Sequence, residues 1–262
     1  MTDWLTSLGL EGHRDAAIAV GLGAARLTAL VWIAPFLGGR WIPVPARLGV
    51  ALALALVCAP TLAAAGPLPA DRLVLLALLV KEIGVGLAIG FAMALVFHSA
   101  EAAGDLIDTA RGQSMSELLD PATGEPASPM GALYGLLAVA IFMVSGGHLV
   151  ALEAILASFE AVPVAGFPAV APGALGLALL TLTAHLLVVA AALAGPALIA
   201  LLLADSALGL VTRAAPQLNA YFLALPLKSA LGLLAVLAGL SVTVRVLHSE
   251  FGVMLDRAGG LF

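Results

Sequence analysis

Six apolar runs dominate the chain, at residues 16–37, 47–65, 73–99, 131–159, 173–204 and 221–247. Polar and helix-breaking residues gather between the runs. A helix rising ~1.5 Å per residue needs about 20 mostly apolar residues to cross a bilayer, and the runs approach or exceed that length. The pattern predicts an all-α membrane protein of long apolar helices arranged as helix hairpins, with about six hydrophobic segments, some kinked or broken. Gly38-Gly39-Arg40 and Pro43-Val44-Pro45 separate the first two runs. Gly66-Pro67-Leu68-Pro69 separates the next two, and Asp71 is placed to cap the third helix. Pro163, Pro168 and Pro172 fill the fourth connection. The fifth run is long for one tilted span, so a kink at Gly195-Pro196 or a break is expected. The whole chain, 1–262, reads as a single helical membrane domain with one polar connection at about residues 100–130.

That connection is the most polar part of the chain. Glu101, Asp105 and Asp108 recur at i, i+4 and i+7 and share one face if residues 100–111 are helical. A solvated acidic face is the plainer reading; a metal site is the sharper one. Arg111 is within reach of Asp108 at i, i+3. Asp120-Pro121 and Gly124 signal a turn. Pro126 and Pro129 keep the chain extended before the fourth run.

Composition strengthens the membrane reading. Residues are 62% hydrophobic and only 10% charged, with a mean hydropathy of +1.13. A soluble domain averages about a quarter charged residues and has too little interior for this much apolar surface. The net charge of -5 is scattered, which excludes a basic nucleic-acid footprint and an anionic-lipid anchor. The single cysteine, Cys58, sits in an apolar run and reads as a small buried hydrophobe. At the N-terminus Asp3, Glu11 and Asp15 outnumber Arg14, so the membrane segments themselves are expected to direct insertion. With six spans, Arg14, Arg72, Arg245 and Arg257 fall on one side, and Arg40, Arg47, Arg111 and Arg213 on the other. This tie gives no orientation and hints at something other than conventional full spans.

Arg26, Lys81, Glu82 and Lys228 lie well inside apolar runs. Each costs roughly 2.5–3.5 kcal/mol at the centre of a lipid-facing helix, so they are expected to face protein, water or an interface. A transporter would use them as a substrate or proton relay. An assembling subunit would pair them across helix contacts. Lys81 and Glu82 are neighbours, ~100° apart on a helix, and are not expected to line one narrow site unaided. Gly86 and Gly90 form a GxxxG spacing that lets backbones approach. The five histidines show no metal-ligand spacing, and no nucleophile, base or metal set is recognisable. No enzyme, cofactor or metal is expected.

Two segments carry a family resemblance. The first is Gly104-Asp105-Leu106-Ile107-Asp108, then Arg111-Gly112-Gln113-Ser114-Met115, Asp120-Pro121, Gly124 and Ser128-Pro129. The second runs from Ala204-Asp205 to Arg213-Ala214-Ala215-Pro216-Gln217-Leu218-Asn219, followed by Leu225-Pro226-Leu227-Lys228. Together with Lys81-Glu82, Gly86 and Gly90, and more loosely Arg26, Pro35 and Arg47, the chain resembles the FliR/SctT family. These are export-gate subunits of flagellar and virulence type III secretion systems. The Asp-x-x-Arg-Gly form with Ser-Pro before the next helix looks more like the injectisome branch, SctT, than flagellar FliR.

The resemblance implies a structural subunit in the bacterial inner membrane, with part of the complex raised toward the periplasm. Expected partners are SctR/FliP-type and SctS/FliQ-type subunits, an SctU/FlhB-type subunit, membrane lipid and unfolded secreted proteins in transit. It also implies a pore plug at about residues 111–119, centred on Arg111, Gly112, Gln113, Ser114 and Met115. An ordinary amphipathic connector is the alternative for that stretch. Asp205, Arg213, Gln217 and Asn219, with Pro216 between them, would form a polar network at a bend or a neighbour contact; a simple capped turn is the alternative. Arg26, Lys81, Glu82, Asp108, Asp120, Pro121 and Lys228 complete the polar positions expected to serve structure or assembly. The rival function is a small secondary transporter working through its intramembrane charges, which lacks the internal repeat common in such folds.

Overall fold

The computed structural model describes residues 11–38, 42–63, 66–112, 128–167, 172–215 and 220–259. Among them the chain is helical and carries no strand. The helices are α1 (Glu11–Ile33), α2 (Pro35–Gly38), α3 (Val44–Val57), α4 (Ala59–Ala63), α5 (Arg72–Arg111), α6 (Pro129–Val144), α7 (Gly147–Ala161), α8 (Pro172–Ala214) and α9 (Ala220–Gly259).

Local signals set many of the ends. The Leu73 N–H donates to Asp71 Oδ1 at 3.0 Å, the expected cap of α5. Ser128 caps α6 by accepting from the Gly131 N–H at 2.9 Å, and Pro129 occupies the first turn, where its missing N–H costs nothing. The fifth run does not break: α8 continues through Gly195 and Pro196 as one helix, with Pro196 in its interior. The fourth run breaks instead. Gly146 adopts φ +76°, a left-handed conformation that favours glycine, and the axis turns by 78° between α6 and α7. The second run is also interrupted, at Cys58, and neither α3 nor α4 is long enough to cross a bilayer.

By length and composition four described helices can span a membrane, at Arg14–Ile33, Arg72–Arg111, Gly173–Ala214 and Ala224–Leu255. The bent α6–α7 pair adds a fifth if it counts as one broken span.

The chain divides into two compact units, one of residues 1–94, 146–182 and 253–262, the other of residues 95–145 and 183–252. In the first unit α1 packs on α3 and α4, with Leu27, Leu30, Leu62, Leu78, Ile89 and Met93 fully buried. The GxxxG pair now has a purpose. A Cβ on Gly86 would lie 2.2 Å from the Arg26 carbonyl oxygen, and one on Gly90 would lie 3.1 Å from Leu30 Cα. Both glycines press onto α1, one turn apart on each helix. In the second unit Phe97, Phe142 and Phe251 form an aromatic triad with ring centroids 5.0–5.3 Å apart. There α6 approaches α5 so closely that a Cβ on Gly104 would sit 2.3 Å from the Met130 backbone.

Candidate functional site: two buried polar centres

The first centre is built on Arg26 of α1 and Glu82 of α5, both completely buried. The guanidinium donates through Nε to Glu82 Oε2 at 2.5 Å and through Nη2 to Oε1 at 3.0 Å, a two-pronged pair. Its remaining protons go to the end of α7: Nη1 donates to the Ser158 carbonyl at 2.8 Å and hydroxyl at 3.2 Å, and Nη2 to the Val162 carbonyl at 2.7 Å. The Phe159 ring lies 4.3 Å from Arg26 Cζ. Lys81 joins the same carboxylate, with Nζ 2.5 Å from Glu82 Oε1. It also donates to the carbonyls of Pro163, Val164 and Gly166 at 2.9, 3.2 and 2.8 Å. Lys81 and Glu82, not expected to line one narrow site unaided, share one that Arg26 and these carbonyls complete. Their Cβ directions diverge, but a four-carbon stem curls back far enough to meet the next residue's carboxylate.

Two cations face one anion here, leaving one positive charge over. The carbonyls at and just past the end of α7 absorb it, because a helix C-terminus leaves acceptors unpaired and carries partial negative charge. Ser158, Phe159 and the 162–166 carbonyls were not foreseen. Backbone acceptors leave no mark in a sequence.

The second centre is built on Asp108, which is 1% exposed. Oδ1 accepts from Arg111 Nη1 at 2.8 Å. Oδ2 accepts from the Ser128 hydroxyl at 2.9 Å and from the Met130 N–H at 2.8 Å. One carboxylate thus holds the last turn of α5 and the first turn of α6. The acidic face Glu101, Asp105, Asp108 is not simply solvated. A Cβ added at Gly135 would meet Glu101 within 2.9 Å, and one at Gly131 would meet Asp105 Oδ1 at 2.2 Å. Asp105 and Asp108 lie at the first turn of α6, where unpaired N–H groups and the helix dipole favour negative charge, and Glu101 lies a turn further along at Gly135. Among the described residues no His, Cys, Asp or Glu group is arranged to hold a metal. Arg111 lies along α9 at Gly232, where a Cβ would come 2.6 Å from Arg111 Cδ. No sequence signal pointed to Gly232.

Gly112 ends α5 with φ +81°. The other expected plug residues, Gln113, Ser114 and Met115, lie outside the described residues, as do Asp120, Pro121, Pro216, Gln217 and Asn219. Arg213 is exposed in the last turn of α8. Asp205 pairs with Lys228 of α9 at 2.8 Å, and its side chain is half exposed. A second α8–α9 pair, His185 Nε2 to Glu250 Oε2 at 2.8 Å, was not anticipated.

Apolar helices able to cross a bilayer several times, locked by internal ion pairs, define a multi-pass membrane protein. The chain belongs to the bacterial export proteins, family 1, the FliR/SctT family, whose model matches residues 17–254. It is similar to the Yop proteins translocation protein T of Yersinia pestis, 38% identical over 71% of each chain. It is 31% identical to flagellar biosynthetic protein FliR of Escherichia coli (strain K12) over 79% of this chain and 78% of that one. With surface presentation of antigens protein SpaR of Salmonella typhimurium it shares 29% identity over 88% and 86%. The higher identity to the Yersinia protein fits the SctT branch. Membership makes this a structural component of an export apparatus, not an enzyme, and sets the transporter alternative aside.

Proposed function

We propose that this chain is the FliR/SctT-type subunit of a type III secretion export gate. It joins SctR/FliP-type and SctS/FliQ-type subunits, with an SctU/FlhB-type subunit beside them, in the bacterial inner membrane. Together they form the entry portal for unfolded secreted proteins, part of it raised to the periplasmic side. One observation carries the reading. Helices α5, α8 and α9 have 40, 43 and 40 residues, which at 1.5 Å per residue is about 60 Å. A bilayer hydrocarbon core is only about 30 Å thick. Large apolar side chains stay exposed along these helices, from Leu73 and Leu76 on α5 to Leu177, Leu203 and Leu210 on α8. Lipid tails cannot cover all of that surface, and neighbouring apolar helices can.

The plug reading for 111–119 draws support from Asp108. It ties together the two helix ends from which the 113–127 connection departs, so that connection is anchored at both feet. Gly112 gives the backbone the turn it needs at one foot. The test is to delete residues 112–118 and measure ion leak across membranes containing the assembled complex. A clear rise in leak with unchanged subunit composition is expected; unchanged leak would sink the plug.

A further inference from the structure

We propose that the α8–α9 hairpin has one preferred register across a lipid bilayer: residues 186–204 of α8 occupy the hydrocarbon, and two interhelical ion pairs mark its borders. The pairs are His185–Glu250 and Asp205–Lys228, each closed at 2.8 Å. Between them α8 and α9 run side by side, with Pro196 against Gly239. Residues 186–204 contain neither a charged residue nor a histidine. At 1.5 Å per residue this belt is about 28 Å long, the thickness of a hydrocarbon core of about 30 Å. On α9 residues 229–244 are likewise uncharged.

The outward face of the belt suits lipid tails. Leu187, Val188, Ile199, Leu202 and Leu203 are all more than 60% exposed. Arg245 is the one full charge on α9 between the two pairs, and it lies near the Glu250 border, where a long side chain can reach the headgroups. The ion pairs are what choose the register. The apolar run of α8 starts at residue 173 and is too long for one bilayer. Sliding the helix to place 173–192 in the hydrocarbon would carry the His185–Glu250 pair into its interior, where ionisable groups are costly. Holding 186–204 there keeps both pairs at the polar borders. The remaining apolar residues of α8, 173–184, then lie outside the hydrocarbon and need protein to cover them.

The register concerns the chain alone and stands or falls apart from the gate and its plug. The experiment uses full-length protein with Cys58→Ala in phosphatidylcholine vesicles, carrying one nitroxide-labelled cysteine at a time. The sites are Leu187→Cys, Ile199→Cys and Leu203→Cys inside the belt, and Leu177→Cys and Leu210→Cys outside it. Collision with a water-soluble nickel chelate is expected to be at least tenfold lower at the three belt sites. Equal accessibility at all five, or protection of Leu177 with exposure of Leu203, overturns the register. Adding His185→Leu is expected to move the border so that Leu177 becomes protected. An unchanged profile in that variant would show that the ion pair does not choose the register.

Discussion

The two polar centres solve one problem with opposite charges. In the first unit, cations meet the carbonyl end of α7: Arg26 and Lys81 supply the protons and Glu82 offsets part of their charge. In the second, a carboxylate meets the amide end of α6: Asp108 accepts the protons and Arg111 balances it. The polarity of the helix end selects the sign of the side chain buried against it. A difference follows. The first centre is closed, because Arg26 is fully engaged by described partners. The second stands where α5 ends and α6 begins, and holds the feet of a connection.

Glu82→Ala should have the largest effect. It leaves two buried cations without their counter-ion, a loss of about 3–5 kcal/mol when one partner of a buried pair is removed. Thermal unfolding in detergent should show a sharply lowered midpoint, and a small change would mean that water already reaches Arg26. Asp108→Ala should cost less, about 3 kcal/mol at the low end of that range, because it strands one buried cation, Arg111, rather than two. If it matched or exceeded Glu82→Ala by the same assay, the contrast between the centres would collapse. Gly86→Ala should cost about 1–3 kcal/mol, because the new methyl strikes backbone on α1 rather than a yielding side chain. Gly84→Ala is its control: nothing lies within 4 Å of that position, and alanine suits a helix better by about 1 kcal/mol. Equal losses for the two would refute the close approach of α5 to α1. The smallest effect is expected at Lys228→Ala. Its partner Asp205 is half exposed, and such pairs contribute about 0–1 kcal/mol; a shift of the unfolding midpoint beyond that would show the pair to be shielded.

Much of this was legible in the chain. Apolar runs announced the helices, Asp71 and Ser128-Pro129 their starts, and Gly86/Gly90 a tight contact. Each is a local signal between neighbours or turns. The break at Gly146 was missed although Ser145-Gly146-Gly147-His148 carries a turn signal, because the long apolar stretches on either side of those four residues read as one run. At Gly195-Pro196 the alternative of a break was excluded: α8 stays one helix there, with Pro196 packed against Gly239 of α9. Arg26 and Glu82 stood out as misplaced charges, yet nothing in the sequence joined them across 56 positions. The expectation of a solvated acidic face held at Glu101 and Asp105 but failed at Asp108, which is buried, because spacing shows which residues share a face but not what each of them meets. The role of the α7 carbonyls was invisible for a simpler reason: every residue has one.

The Arg26 network also sets a timetable. Its Glu82 partner is made 56 residues later and its Ser158 partner 132 residues later. At about 5–20 residues per second, Arg26 waits on the order of ten seconds before the last of its acceptors exists. A lone arginine is poorly tolerated in hydrocarbon for any of that time. The first helix is therefore expected to wait at the membrane surface, or within the insertion machinery, until the chain beyond residue 166 has emerged. The finished ion pair would be a late event that ends the biogenesis of the subunit, not a nucleus that begins it.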